Sequence, residues 1–188
     1  MSDTDSRLER IAFRPVEIER DLPHLLRWLA DPDVRRWYDE GELTEANIGA
    51  RFAPEATTRK YIIEIDGQGV GYIQVYRLAD EEEYRRQVDV PPEAVAMDLF
   101  IGEPEFRGKG WGTGVLRACL ERLVFGEMEA PLAMIAPDPE NARAVRSYEK
   151  AGFRPLKRVY VTDDDPGNTG WELLMLLERE EFERPLAW

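Results

Sequence analysis

Between an apolar, β-branched run, Val95 to Ile101, and a run with helical spacing, Val115 to Phe125, stands the segment Arg107-Gly108-Lys109-Gly110-Trp111-Gly112-Thr113-Gly114. Four glycines within seven residues exceed what a tight strand-to-helix turn requires. Glycine tolerates positive φ and lets a ligand come close to backbone N–H groups, and a helix start supplies unpaired N–H groups at the positive end of its dipole. The pattern therefore predicts an anion site on this loop, with Arg107 and Lys109 as cations beside it. It is not a P-loop, because Glu103 stands five residues before Gly108 where that motif has glycine. Nor is it the dinucleotide fingerprint, since Thr113 or Val115 occupies the third glycine's place.

The runs on either side extend this loop into a β-α-β unit. Leu132 to Ala136 reads as a short buried strand, parallel to Val95 to Ile101 through a right-handed crossover. A further helix follows from an Asn141 N-cap to Ala151, closed by Gly152. Upstream, Ile11 to Val16 reads as a strand, Asp21 to Ala30 as an amphipathic helix stopped by Asp31-Pro32, Val34 to Tyr38 as a short helix and Thr44 to Phe52 as another. Tyr61 to Ile65 and Val70 to Leu78 form a hairpin around Asp66-Gly67-Gln68-Gly69. Ala79 to Glu93, polar and ending in Pro91-Pro92, reads as a loop. Phe153 to Thr162 and Trp171 to Glu178 complete the sheet, joined by an acidic turn at Asp163 to Gly167. The expected architecture is α/β, a mixed sheet covered on both faces, in a single domain spanning residues 1–188.

Composition narrows the function. The 188 residues carry 25 Lys+Arg against 38 Asp+Glu, a net charge of −13. Phosphate backbones and anionic membranes are bound through Lys and Arg, so nucleic acid and membrane partners are disfavoured and a cationic partner is favoured. The first residues hold acids and no apolar core of a signal peptide, and no stretch approaches the roughly 20 apolar residues of a membrane span, so a cytoplasmic location is expected. The only histidine, His24, and the only cysteine, Cys119, fall on separate predicted helices; no disulfide, no metal site and no Cys-His nucleophile pair is expected.

The pattern Arg107-x-x-Gly110-x-Gly112 after a strand, followed by Asn141-Ala-Arg-Ala-Val-Arg-Ser-Tyr148-Glu-Lys-Ala-Gly152-Phe153, closely resembles the Gcn5-related N-acetyltransferases over about residues 10–178. Within that family the resemblance is best to the aminoglycoside 6'-N-acetyltransferases. It is carried by Trp28-Leu29, Trp37-Tyr38, Gly71-Tyr72-Ile73-Gln74-Val75-Tyr76, Met97-Asp98 and Arg146 to Phe153. One departure is Ala136-Pro137-Asp138, where related enzymes carry an acid next to a proline. The resemblance implies a central mixed, mostly antiparallel sheet flanked by helices, and direct transfer from acetyl-CoA, a co-substrate, to an amine. It places the pyrophosphate on the amides of Arg107, Gly108, Lys109, Gly110, Trp111, Gly112 and Thr113. It lays the pantetheine arm along Leu99, Phe100 and Ile101 like an added strand, with Asn141 in contact.

Asp98 breaks its local rule, a carboxylate in the middle of an apolar strand, and is thereby a functional candidate. By resemblance it binds the attacking ammonium and takes its proton, while Tyr148 protonates the departing thiolate; packing alone would make Tyr148 a core residue. Trp37, Tyr38, Gln74 and Tyr76, with Asp98, are candidates to line the acceptor pocket. Asp80, Glu81, Glu82, Glu83, Asp89 and Glu93, with Asp163 to Asp165, would concentrate a small polycation. The expected function is acetylation of the 6'-amino group of an aminoglycoside by a monomer or homodimer. Acylation of a siderophore hydroxylysine or a protein N-terminus, or a non-catalytic acyl-CoA sensor, are the alternatives.

Overall fold

A computed structural model describes residues 3–162 and 169–184. The helices are α1 (Asp3–Glu9), α2 (Ile18–Ala30), α3 (Pro32–Arg35), α4 (Glu45–Phe52), α5 (Glu82–Val88), α6 (Trp111–Cys119), α7 (Ala142–Ala151) and α8 (Arg179–Glu183). The strands are β1 (Ile11–Pro15), β2 (Thr58–Ile65), β3 (Gln68–Arg77), β4 (Ala94–Ile101), β5 (Leu132–Ile135), β6 (Arg154–Val161) and β7 (Gly170–Glu178). They follow the order β1-β2-β3-β4-β5-β7-β6 in a seven-stranded mixed sheet. The β4–β5 pair is parallel, whereas β1–β2, β5–β7 and β6–β7 are antiparallel. Contacts divide the chain into two compact units, Met1–Gln74 with Asp98–Val115, and Val75–Met97 with Leu116–Trp188.

In the first unit, α2 carries Leu25, Trp28 and Leu29 on its buried face. They meet Ile48 and Phe52 of α4, Ile62, Tyr72 and Phe100 in one core. A buried ion pair ties the helix to the sheet. The Arg14 guanidinium donates to Asp21 Oδ1 at 2.6 Å and to Oδ2 at 3.0 Å, and its Nε to Glu64 Oε1 at 3.0 Å. Asp21 also accepts from the Glu17 N–H at 2.8 Å, so a carboxylate only 2% exposed is fully partnered. Burial would raise its pKa, but these donors hold it below the ordinary value.

In the second unit, the hydrophobic spacing of α6 puts Cys119 fully inside, and burial pushes its thiol up. The helix continues as a π-helix, Leu120–Glu127, with the Met128 N–H bonded to the Leu123 carbonyl at 2.8 Å. A Cβ on Gly126 would sit 2.7 Å from the Glu121 carbonyl oxygen, so this wide turn needs glycine there. α7 begins and ends as its sequence dictates. Asn141 Oδ1 accepts from the Ala144 N–H at 3.1 Å, and Gly152 closes the helix at φ 116°.

Two segments differ from the sequence reading. Ala79 to Glu93 is not a plain loop: it holds a 3-10 turn, Leu78–Asp80, and then α5. Only Val88 of that helix is buried, and half-buried Tyr84 donates its hydroxyl to Glu172 Oε2 at 2.7 Å, so no apolar stripe announces it. Asp89 ends α5 in the left-handed region, φ 48°, where a short polar side chain substitutes for glycine. The short N-terminal α1 was likewise not anticipated. The acidic turn expected at Asp163 to Gly167 lies outside the described residues.

Gly71 lies against β4 so closely that a Cβ would meet the Phe100 carbonyl oxygen at 2.3 Å. Because backbone cannot swing aside as a side-chain tip can, Gly71→Ala is expected to cost about 1–3 kcal/mol, read as a lowered urea midpoint with an unchanged slope.

Candidate active site

The glycine segment forms in three steps. β4 ends at Ile101, a 3-10 turn occupies Pro104–Phe106, and α6 starts at Trp111. Gly108 and Gly110 both take positive φ, 71° and 83°. The first helical bond runs from the Gly114 N–H to the Gly110 carbonyl, so the amides of Trp111 and Gly112 lie ahead of it in the first turn. Nothing lies within 4 Å of where a Gly108 Cβ would stand, so this stretch of backbone is open to close approach. These features suit an anion.

Arg107 has a different place from the one its sequence suggests. Its Nε donates to the Ile101 carbonyl at 2.8 Å, and its Nη2 donates to the Gly102 carbonyl at 2.5 Å and to Asp31 Oδ2 at 3.1 Å. Its own N–H is bonded to the Pro104 carbonyl. The side chain is 10% exposed, so Arg107 braces the loop from within and is not a cation presented to a ligand. Asp31 caps α3 through the Asp33 N–H at 2.8 Å, and the Arg107 guanidinium holds its carboxyl below the ordinary range. Asp31-Pro32 reads from sequence only as a helix stop; nothing in the pattern announces its partner seventy-six residues away.

Arg7 of α1 was also missed. Its Nη1 donates to the Lys109 carbonyl at 2.9 Å, and its guanidinium lies 5.4 Å from the Trp111 ring centre, with that of Arg10 at 5.0 Å. Lys109 is exposed. The loop thus gains a cation from the start of the chain.

The last half of β4 is the second element of the site. Registered pairing with β5 covers Ala94 to Ala96, so β4 from Met97 onward extends past its last β5 partner. Leu99 and Ile101 are half-buried, while Phe100 points into the core beside Trp28, Tyr38 and Tyr72; only its backbone is open to a role in binding. Gly102 has to be glycine, because a Cβ would fall 2.2 Å from the Trp28 ring. That indole donates to Glu103 Oε1 at 2.9 Å, and Arg27 pairs with the same carboxylate.

Asp98 is half-buried on β4 and accepts from Gln74 Nε2 at 2.9 Å. Gln74 Oε1 in turn accepts from the Tyr72 hydroxyl at 2.8 Å. Tyr38 packs edge-on against Phe100, ring centres 4.9 Å apart, and against Tyr72 at 6.4 Å. Trp37 is half-buried beneath the Arg36 guanidinium at 4.6 Å. The first unit therefore brings Tyr38, Gln74 and Asp98 together, and adds Tyr72, which reads in the sequence as one more apolar strand residue.

In the second unit, Asn141 is the α7 cap, and Tyr148 stands half-buried on the same helix with its ring 6.5 Å from that of Phe153. Tyr76 packs against the core of Leu78, Val88 and Leu174. The acids expected to gather a polycation are partly paired: Glu82 with Arg86, and Asp89 with Lys157 at 3.5 Å. Among the described residues no group of His, Cys, Asp or Glu is placed to hold a metal ion, and no helix is long and apolar enough to cross a membrane.

The first unit thus holds a glycine loop at a helix start and the end of β4 beyond its last β5 partner, and the second an Asn-capped helix bearing a tyrosine. The model of the acetyltransferase (GNAT) domain matches residues 17–161, and the chain belongs to that family. Aminoglycoside N(6')-acetyltransferase type 1 of Klebsiella pneumoniae is 30% identical over 88% of this chain and 82% of its own length. The solved structure of AAC(6')-Ib in complex with paromomycin and acetyl-CoA superposes with a TM-score of 0.82 at 28% identity, covering 94% of this chain and 98% of the other. N(6)-hydroxylysine O-acetyltransferase of Escherichia coli is 26% identical over 81% of this chain but 49% of its own length.

Replacing Arg107 by Gln should lower stability near neutrality by on the order of 2 kcal/mol, since bonds from a charged group are lost. Asp31 has a depressed pKa in the folded protein, so its contribution is present above the ordinary carboxylate value of 3.8 and is lost as pH falls through the folded one. Because the bonds to the Ile101 and Gly102 carbonyls do not titrate, the gap between the urea midpoints of wild type and Arg107→Gln at pH 7 should narrow, without closing, at pH 3.

Proposed function

We propose that this chain is an acetyl-CoA-dependent N-acetyltransferase whose acceptor is the 6'-amino group of an aminoglycoside, acting as one domain in the cytoplasm, as a monomer or homodimer. The observation that carries the reading is a half-buried Asp98 held by Gln74, in a unit where half-buried Tyr38 packs against the buried rings of Tyr72 and Phe100. It joins a 30% identity over most of the chain to an aminoglycoside 6'-acetyltransferase. A half-buried aromatic ring with a few aimed polar groups suits a small-molecule site, and a carboxylate among them suits a cation.

In this reading the open backbone at Gly108 and the first amides of α6 receive the pyrophosphate, with Lys109 and Arg7 as nearby cations, and Leu99 to Ile101 offer backbone to the pantetheine arm. Asp98 receives the acceptor's ammonium and accepts its proton, because only the neutral amine has a lone pair for the thioester carbonyl. The new C–N bond forms as the C–S bond breaks, and Tyr148 donates its hydroxyl proton to the leaving thiolate and is reprotonated from solvent. The likeness to the hydroxylysine O-acetyltransferase keeps a hydroxylamine acceptor as the second reading.

The deciding measurement is thiol release from acetyl-CoA with aminoglycosides bearing or lacking a 6'-amino group, against hydroxylysine and peptide amines. Turnover confined to 6'-amino compounds is expected; turnover only with hydroxylysine would replace the acceptor, and none with any amine would remove the enzymatic reading. Asp98→Asn should abolish most transfer with acetyl-CoA affinity intact. Tyr148→Phe should lower kcat by about 10²–10⁴ while calorimetric binding of acetyl-CoA changes little.

A further inference from the structure

Tyr72, Gln74 and Asp98 form a hydrogen-bonded chain with a direction. The Tyr72 hydroxyl donates to Gln74 Oε1 at 2.8 Å, and Gln74 Nε2 donates to Asp98 Oδ2 at 2.9 Å. We propose that Tyr72 is a positioning residue of the reaction: it locks the Gln74 amide with its NH2 group toward Asp98, and so keeps that carboxylate oriented and in its proton-accepting form. The inference rests on the role of Asp98 given above.

The argument starts from what each group can do. An ionised carboxylate only accepts, so the amide edge facing Asp98 has to be the NH2 edge, and Oε1 then faces away. Two residues apart on β3, Tyr72 and Gln74 share one face of the strand, and Tyr72 supplies the donor that Oε1 needs. Tyr72 is 1% exposed. Phe52 packs edge-on against it at 4.7 Å, Phe100 stacks at 5.8 Å and Tyr38 stands edge-on at 6.4 Å, so the hydroxyl is held in place by three rings. Burial first, and then the negative charges of Asp98 and Glu55, push its pKa well above the ordinary value of 10, so it keeps a proton to give.

Half a turn of the amide would set Oε1 against Asp98, which is repulsive for a carboxylate and favourable only once Asp98 carries a proton. The chain therefore has one direction for each protonation state, and the one in which Tyr72 donates is the one that suits the ionised carboxylate. The other charges acting on the Tyr72 hydroxyl are themselves held. Glu55 pairs with Lys60 at 2.8 Å, and Arg51 at the end of α4 pairs with Glu40.

Tyr72→Phe removes one hydroxyl and keeps the ring. Losing a donor that supports the charged form raises the pKa of Asp98, so the acid limb of the kcat/KM profile for a 6'-amino acceptor such as kanamycin should move to higher pH by about half a unit or more. The loss should be several-fold at low pH and shrink as pH rises, with acetyl-CoA affinity unchanged. Gln74→Leu should shift the limb at least as far, and adding Tyr72→Phe to it should shift it no further, because the effect travels through the amide. A simple packing defect would lower activity at every pH and leave the limb in place; that result, or additive shifts in the double variant, overturns the proposal. Carbon-13 titration of the Asp98 carboxyl in labelled protein, identified by its disappearance in Asp98→Asn, reads the same shift without any acceptor. An unchanged titration in Tyr72→Phe refutes the proposal even if the acceptor proves not to be an aminoglycoside, and a wild type inactive on aminoglycosides with the titration shifted refutes only the acceptor.

Discussion

The Arg107 guanidinium is the constraint on which the front of the site depends. It holds the Ile101 and Gly102 carbonyls at the end of β4, and it reaches the Asp31 carboxylate at the junction of α2 and α3. Drawing a cation inward has a consequence for the loop outside it. Attraction for an anion there has to come from oriented N–H groups, the start of α6, Lys109 and Arg7, and the positive φ of Gly108 and Gly110 sets the backbone that presents them. The same turn permits a tryptophan to touch bare backbone at Gly102, so the chain direction after β4 is set by packing as well as by charge.

Charge on the acceptor side is arranged differently. The net charge of −13 draws cations in general, but a paired acid such as Glu82 or Asp89 presents a dipole more than a charge, and salt screens it within about 8 Å at physiological ionic strength. A carboxylate that is half-buried and held by a hydrogen bond from one side keeps more of its field for a ligand in contact. In the proposed reaction, discrimination among cations would rest with Asp98, and the acids of α5 would contribute mainly to encounter.

How far the sequence could be read follows from which signals are local. The Asn141 cap, the Gly152 terminator, the hairpin at Asp66-Gly67 and the β-α-β unit are written in adjacent residues, and the structure has them all. α5 was missed because its stability comes from one buried valine, a tyrosine hydroxyl reaching β7 and an Arg86–Glu82 pair, none of which makes a periodic stripe. The π-helix after α6 has no sequence signal beyond Gly126, which in isolation reads as any helix-ending glycine. Arg107 and Arg7 were misread or missed for one reason: their partners Asp31 and Lys109 lie far along the chain, and spacing carries no information about contacts closed by the fold. Asp98 stood out because a carboxylate in an apolar strand is an exception that demands a cause.

The placement of Cys119 bears on the proposed reaction. It is the chain's only thiol, it lies fully inside α6's packing, and burial keeps it protonated. Each turnover of the proposed reaction would release coenzyme A, itself a thiol that, once oxidised, exchanges readily with exposed thiolates. A cysteine that is neither reachable nor ionised cannot form that mixed disulfide, so the enzyme is chemically indifferent to the redox state of its own product pool.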